Sequence, residues 1–160
     1  MAFILNCLML VYRISKTRYA TDLSGEGAKL YGGRWNNKLV PCIYTSESRA
    51  LALLEYTVNI NIDEIPRALS IITLDIPSKD IYELKQSQLP GDWKDVPAPS
   101  STKDFGSRLL NEAKNAVIKI PSAIIANEFN YILNPKHPYS KNFKITEIKD
   151  FVYDIRIKSK

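Results

Sequence analysis

With 160 residues, 45% of them hydrophobic and 24% charged, the chain has the size and balance of one globular domain, which excludes fibrous and disordered classes. Its formal charge of +5 suits an anionic small molecule, a nucleic acid or an acidic partner without choosing among them. Cys7 and Cys42 are far apart and share the chain with a single histidine, His137, so a conventional structural zinc site is excluded and both read as buried, reduced thiols of a cytoplasmic protein.

The opening stretch MAFILNCLMLVY is apolar. It lacks a basic n-region and a small-residue cleavage site, and it falls short of the ~20 residues of a membrane span. Residues 1–8 therefore read as a leader or an extended first strand, Met9 as an alternative start, and 9–160 as the domain. Met9–Ile14 is rich in strand formers. Residues 15–40 carry Gly25, Gly27, Gly32 and Gly33 and read mostly as loop, with room for a helical turn. Pro41 opens a short strand, Cys42–Tyr44. Thr45, Ser46 and Ser48 then offer caps for a helix that runs to about Val58, with Ala50, Leu53, Leu54 and Thr57 predicted on its apolar face. Glu55 falls about 100° round from Leu54, at the margin of that face.

Leu69–Ile76 alternates like a strand, and residues 77–101, with four prolines, read as a surface excursion. A second helix is expected from Thr102 to about Asn115, with Phe105, Leu109, Leu110 and Ala113 on one side and Gly106 weakening its first turn. Further strands are expected at Ala116–Ile120, Asn130–Leu133 and Phe151–Ile157. The tail cluster Arg156, Lys158, Lys160 reads as a solvated face. Strands outnumber helices without regular alternation, which predicts a single-domain α+β fold: a mixed β core with flanking helices.

Several chemistries drop out. The chain has no GxxxxGK[ST] loop, no GxGxxG after a strand, no GxSxG elbow and no HExxH, and one histidine far from any nucleophile does not make a hydrolase triad. What remains is arginine, aromatic, carboxylate and hydroxyl. Arg34 follows a diglycine, Tyr44 comes ten residues later at a strand end, and Glu55 eleven residues after that on a helix. An arginine fork suits a diphosphate, a tyrosine ring stacks on a base, and a carboxylate stabilises the oxocarbenium-like transition state of N-glycosidic cleavage. Each residue also has a structural explanation. Arg34 can be a surface cation, Tyr44 core packing, Glu55 a helix-flank acid paired with Arg49 or Arg13, and Ser122 the start of a turn. His137 in NPKHP reads as a holder of its proline-rich loop.

Together, YGGRWN at 31–36, IYTSESRALALLE at 43–55, IPSAIIANEFNYILNPKHP at 120–138 and the FVYDIRI segment resemble the RES domain family. Its members are toxin components of bacterial type II toxin–antitoxin pairs. The resemblance implies a fold related to ADP-ribosyltransferase toxins and an enzyme that consumes NAD, by hydrolysis, by phosphorolysis or by transfer of ADP-ribose to a protein. By position it assigns Arg34 to the NAD phosphates or ribose, Tyr44 to stacking on nicotinamide and Glu55 to the ribosyl cation. Arg13, Tyr31, Ser122 and Asn134 would bind or shape the substrate site, with no metal and no cofactor beyond NAD as substrate. It further implies a helix-turn-helix antitoxin of the Xre type that blocks the site, DNA contact only through that antitoxin, and no membrane. Residues 37–43 lack a glycine often found there. The competing class is a non-catalytic basic binding module, which would show a continuous Lys/Arg stripe where this chain has scattered ones.

Overall fold

The predicted first strand forms and overruns its expected end, as β1, Met9–Lys16. The computed structural model describes residues 8–158; the leader residues 1–7, Cys7 among them, lie outside it. The helical turn expected among the glycines is α1, Glu26–Tyr31. Strand β2, Ile43–Ser46, leads into α2, Arg49–Val58, whose cap is Ser48: its hydroxyl accepts from the Leu51 amide at 3.0 Å. Then come β3, Leu69–Ile76; β4, Ile81–Glu83; α3, Ser100–Glu112; β5, Val117–Pro121; β6, Phe129–Leu133; and β7, Lys144–Phe151. Among the described residues the strands make one sheet, ordered β4-β5-β6-β2-β1-β3-β7. Only β4–β5 is parallel, so the sheet is mixed and the fold is α+β as expected.

Strand alternation divides the core between the two faces of this sheet. Val11, Ile43, Ile72, Leu74, Val117 and Leu133 cluster on one face. Cys42, Ile118, Ile120 and Ile132 point to the other, where they meet Trp35, Trp93 and Leu110. The two indoles lie 6.0 Å apart and Phe105 packs edge-on to Trp35.

Helix α3 reaches this second face at Gly106. A Cβ built there would stand 2.1 Å from the Trp35 carbonyl oxygen, so the glycine that weakens the helix by propensity is what lets it pack. The buried side of α3 is accordingly small, with Thr102, Gly106, Ser107 and Leu110, while Phe105 and Leu109 sit at its edge. The helix stops at Glu112 because Ala113 turns into the left-handed region at φ 49°, three residues before the expected end.

Three other expectations change. The buried residues of α2 are Leu51, Ala52 and Thr57, which puts Glu55, three and four residues beyond Ala52 and Leu51, on the inward side instead of at the margin. In RALALLEYTV apolar residues encircle the helix, so hydrophobicity does not set its phase. Strand β4 lies inside the predicted excursion, and β7 was not anticipated. A bulge between Thr73 and Leu74 pairs Glu147 with one and Ile145 with the other, leaving Thr146 extra and destroying the period of two. Conversely, Phe151–Ile157 alternates but is no strand. Phe151 ends β7, and Tyr153 leaves the sheet to pack on Tyr56 and donate its hydroxyl to Thr57 Oγ1 at 2.9 Å. A short 3-10 turn, Ile155–Ile157, follows, and the Lys158 ammonium donates to the carbonyls of Thr57 (2.7 Å) and Ile60, closing the C-terminal end of α2.

Gly106→Ala should lower stability by on the order of 2–3 kcal/mol, since helix or loop must retreat from the added methyl. The urea midpoint should fall at constant m; an unchanged midpoint would refute the close approach.

Candidate active site

β1 and β2 share one register pair, Tyr12 opposite Ser46, and a cleft of about 840 Å³ opens beside that short junction. Tyr12, Arg13 and Ile14 line it from one strand and Tyr44, Thr45 and Ser46 from the other. α2 contributes Glu55, the loop after α1 contributes Arg34 and Trp35, and Val96, Pro97 and Lys103 complete the far wall. Arg13, Arg34, Lys94 and Lys103 set four cations against one lining carboxylate, Glu55, a balance that favours an anionic ligand.

Glu55 is held from two sides. Asn130 Nδ2 donates to Oε1 at 2.6 Å and Ser122 Oγ donates to the same atom at 3.1 Å. No described residue donates to Oε2. Ser122 is buried at 3% exposure, and its hydroxyl oxygen accepts from the amides of Ile124 and Ile125 at 3.1 and 3.2 Å, so the backbone turn aims its proton at the carboxylate. The helix-flank alternative for Glu55 fails. Arg49 lies over the Tyr12 ring at 4.4 Å and pairs with Glu147 at 3.8 Å, and Arg13 is engaged with carbonyls.

Tyr44 offers its ring and not its hydroxyl. The phenol donates to Asn36 Oδ1 at 2.7 Å and accepts from the Trp35 amide at 3.0 Å. Burial pushes its pKa well above the ordinary value, and Cys42 adds to that, so it stays protonated. A Cβ on Gly33 would stand 2.7 Å from this oxygen, so the second glycine of the diglycine supplies room for Tyr44. Asn36, fully buried, donates from Nδ2 to the carbonyls of Ala28, Asn37 and Val40 and so holds the loop that carries Arg34.

Arg34 uses Nη1 to donate to the carbonyls of Trp93 (2.7 Å) and Asp95 (2.9 Å), which fixes the far wall and leaves Nε and Nη2 for a ligand. Arg13 Nη2 donates to the carbonyls of Ala20 and Asp22 at 3.1 and 2.6 Å, while its buried Nε has no partner. Burial pulls this guanidinium below its ordinary pKa, against the charge of Asp22, and an arriving anion would offset that cost. Tyr31 stands at the rim, 81% exposed.

Asn134 is the residue the structure does not bring to the cleft. It is fully buried, donates to the Leu110 carbonyl at 2.8 Å and accepts from the Lys136 amide at 3.1 Å, tying α3 to the end of β6. Its neighbour His137 is structural as expected: Nδ1 accepts from the Tyr139 amide, and Nε2 lies 3.4 Å from Asp80. Sequence reasoning missed Asn130 and Ser46. Both sit in the recognised blocks, but only the β2–β6 register sets them opposite each other, beside the acid that Asn130 reaches.

Cys42 is buried with a free thiol, pushed up to about 12 by burial, against a smaller opposing effect of the neighbouring Tyr44 hydroxyl. The folded chain keeps this proton where the unfolded one, near 9.0, releases it. The contribution is intact below pH 9 and is lost between pH 9 and about 12, at about 1.4 kcal/mol per pH unit. Urea midpoints at pH 8, 9 and 10 should fall more steeply for the wild type than for Cys42→Ala; equal slopes would contradict the assignment.

A model of the RES domain family matches residues 10–154. The chain is 37% identical over 152 residues to Toxin Res of Photorhabdus laumondii, covering 93% of this chain and 97% of that protein. It is 34% identical over 146 residues to the Prs ADP-ribosylating toxin of a Sphingobium species, covering 89% and 91%. Among solved structures, the M. tuberculosis MbcT–MbcA toxin–antitoxin complex contains a chain that superposes with a TM-score of 0.69 at 20% identity, over 91% of this chain and 85% of that one, a likeness of fold. No described helix is long and apolar enough to cross a membrane. The chain belongs to the RES domain family.

Proposed function

We propose that this chain is the toxin of a bacterial toxin–antitoxin pair and that it depletes cytoplasmic NAD by breaking the bond between nicotinamide and ribose. One observation carries the reading: Glu55 has one oxygen held by two donors and the other without a donor among the described residues, in a cleft whose remaining charged residues are all cations. As the C1′–N bond breaks, its electron pair leaves with nicotinamide and neutralises the pyridinium, so no general acid is required. The ribose is left with oxocarbenium character, which the Glu55 carboxylate stabilises. Water then adds at C1′ and releases a proton, giving ADP-ribose; inorganic phosphate in its place gives the sugar phosphate. Arg34 and Arg13 hold the diphosphate, Tyr44 stacks on the nicotinamide, and Tyr31 flanks the entrance. The chemistry draws on no cofactor besides NAD.

A second reading, transfer of ADP-ribose to a protein, is favoured by the similarity to a relative named for ADP-ribosylating Prs. Both share the first bond cleavage and differ in the acceptor. The partner we propose is a helix-turn-helix antitoxin of the Xre type that covers the cleft and makes any DNA contact. Its support is the likeness to a chain solved within a toxin–antitoxin complex.

Purified protein incubated with NAD should release nicotinamide without an added protein, and Glu55→Gln should lower kcat/KM by at least ~10²-fold. Dependence on added phosphate would select phosphorolysis. NAD left intact until a protein acceptor is supplied would replace depletion by transfer, and undiminished turnover in Glu55→Gln would reject the carboxylate mechanism.

A further inference from the structure

The two donors to Glu55 Oε1 are anchored in different ways. Ser122 is aimed by the amides of a turn, whereas Asn130 is aimed by another side chain: Ser46 Oγ lies 2.7 Å from Asn130 Oδ1. Ser46 is 3% exposed, and the strands place it directly opposite Asn130. We propose that Ser46 and Asn130 form a positioning relay that holds Glu55 Oε1 in place and presents Oε2 to the substrate. The proposal rests on the reading of Glu55 as the acid facing the ribose.

Polarity gives the relay its direction. An ionised carboxylate only accepts hydrogen bonds, so Asn130 must turn its NH2 toward Glu55; a flipped amide would bring two acceptors together at 2.6 Å. The Asn130 carbonyl then points at Ser46, whose hydroxyl donates to it. Because residues facing each other on neighbouring strands keep their separation, backbone pairing delivers this geometry with little dependence on the loops around the cleft. Without the Ser46 hydroxyl, the carbonyl loses its donor and the amide is free to turn. Glu55 then keeps only the longer bond from Ser122 and can rotate, dividing its charge between orientations. Such a loss weakens stabilisation of the transition state more than ground-state binding, so it should appear in kcat.

A double-mutant cycle on NAD turnover tests the relay. Asn130→Ala should lower kcat about 10- to 100-fold, the effect of losing a hydrogen bond to a charged group, with KM within about twofold. Ser46→Ala should lower kcat about 3- to 10-fold, and Ser46→Thr, which keeps a hydroxyl, should restore it. The double variant should match Asn130→Ala alone, because Ser46 acts only through Asn130. Multiplicative losses, or losses confined to KM, would overturn the relay. The side-chain amide resonances of Asn130 supply a readout that needs no turnover. In the wild type, one proton should be shifted by its bond to the carboxylate, and Ser46→Ala should abolish that shift. A wild type that leaves NAD intact defeats the proposed activity while the amide spectrum still decides the relay; resonances unmoved by Ser46→Ala defeat the relay alone.

Discussion

The cleft depends on one buried side chain that never meets it. Asn36 has no exposure, and its amide satisfies three carbonyls of the segment around it while its oxygen receives the Tyr44 proton. A polar group so deep is costly unless paired, and each of its partners is a main-chain or phenolic group. The loop after α1 is thereby locked against β2. That lock sets the Tyr44 ring as a wall, places Trp35 where α3 can pack against its carbonyl, and projects Arg34 across to the Trp93–Asp95 backbone. One amide therefore couples the Tyr44 ring, the helix behind it and the Arg34 cation.

The acid is held by separate means, and the separation has a physical logic. Tyr44 and Arg34 depend on a loop, whereas Glu55 depends on a helix, a strand pair and a turn. On the proposed mechanism, groups that recognise a flexible dinucleotide can tolerate small adjustments; a charge placed against a short-lived cation cannot, because its effect depends on distance and direction.

What could be read from the chain alone follows the same division. Strands with intact alternation, such as β1 and β3, and the recognisable blocks around Arg34, Tyr44, Glu55 and Ser122 were legible because their information is local. β7 was not, since a bulge interrupts its period, and the phase of α2 was not, since its apolar residues run all the way round. Asn130 and Asn134 show the limit most clearly. Four residues apart in one block, one faces the acid and the other is sealed beneath α3. Only the pairing of β6 with β2 and the arrival of α3 tell them apart, and both are long-range events.

The far end of α2 has a consequence in time. Tyr153 and Lys158, which grip Thr57, lie 96 and 101 positions after it in the chain. Synthesis runs from the N-terminus, so the helix bearing Glu55 leaves the ribosome long before the residues that hold its end. During that interval the helix has its cap at Ser48, and then the bonds from Ser122 and Asn130 to Glu55, but its C-terminal end is not yet held. The helix that bears Glu55 thus has its far end secured by residues made late in synthesis, an order that suits the toxin activity proposed for the chain.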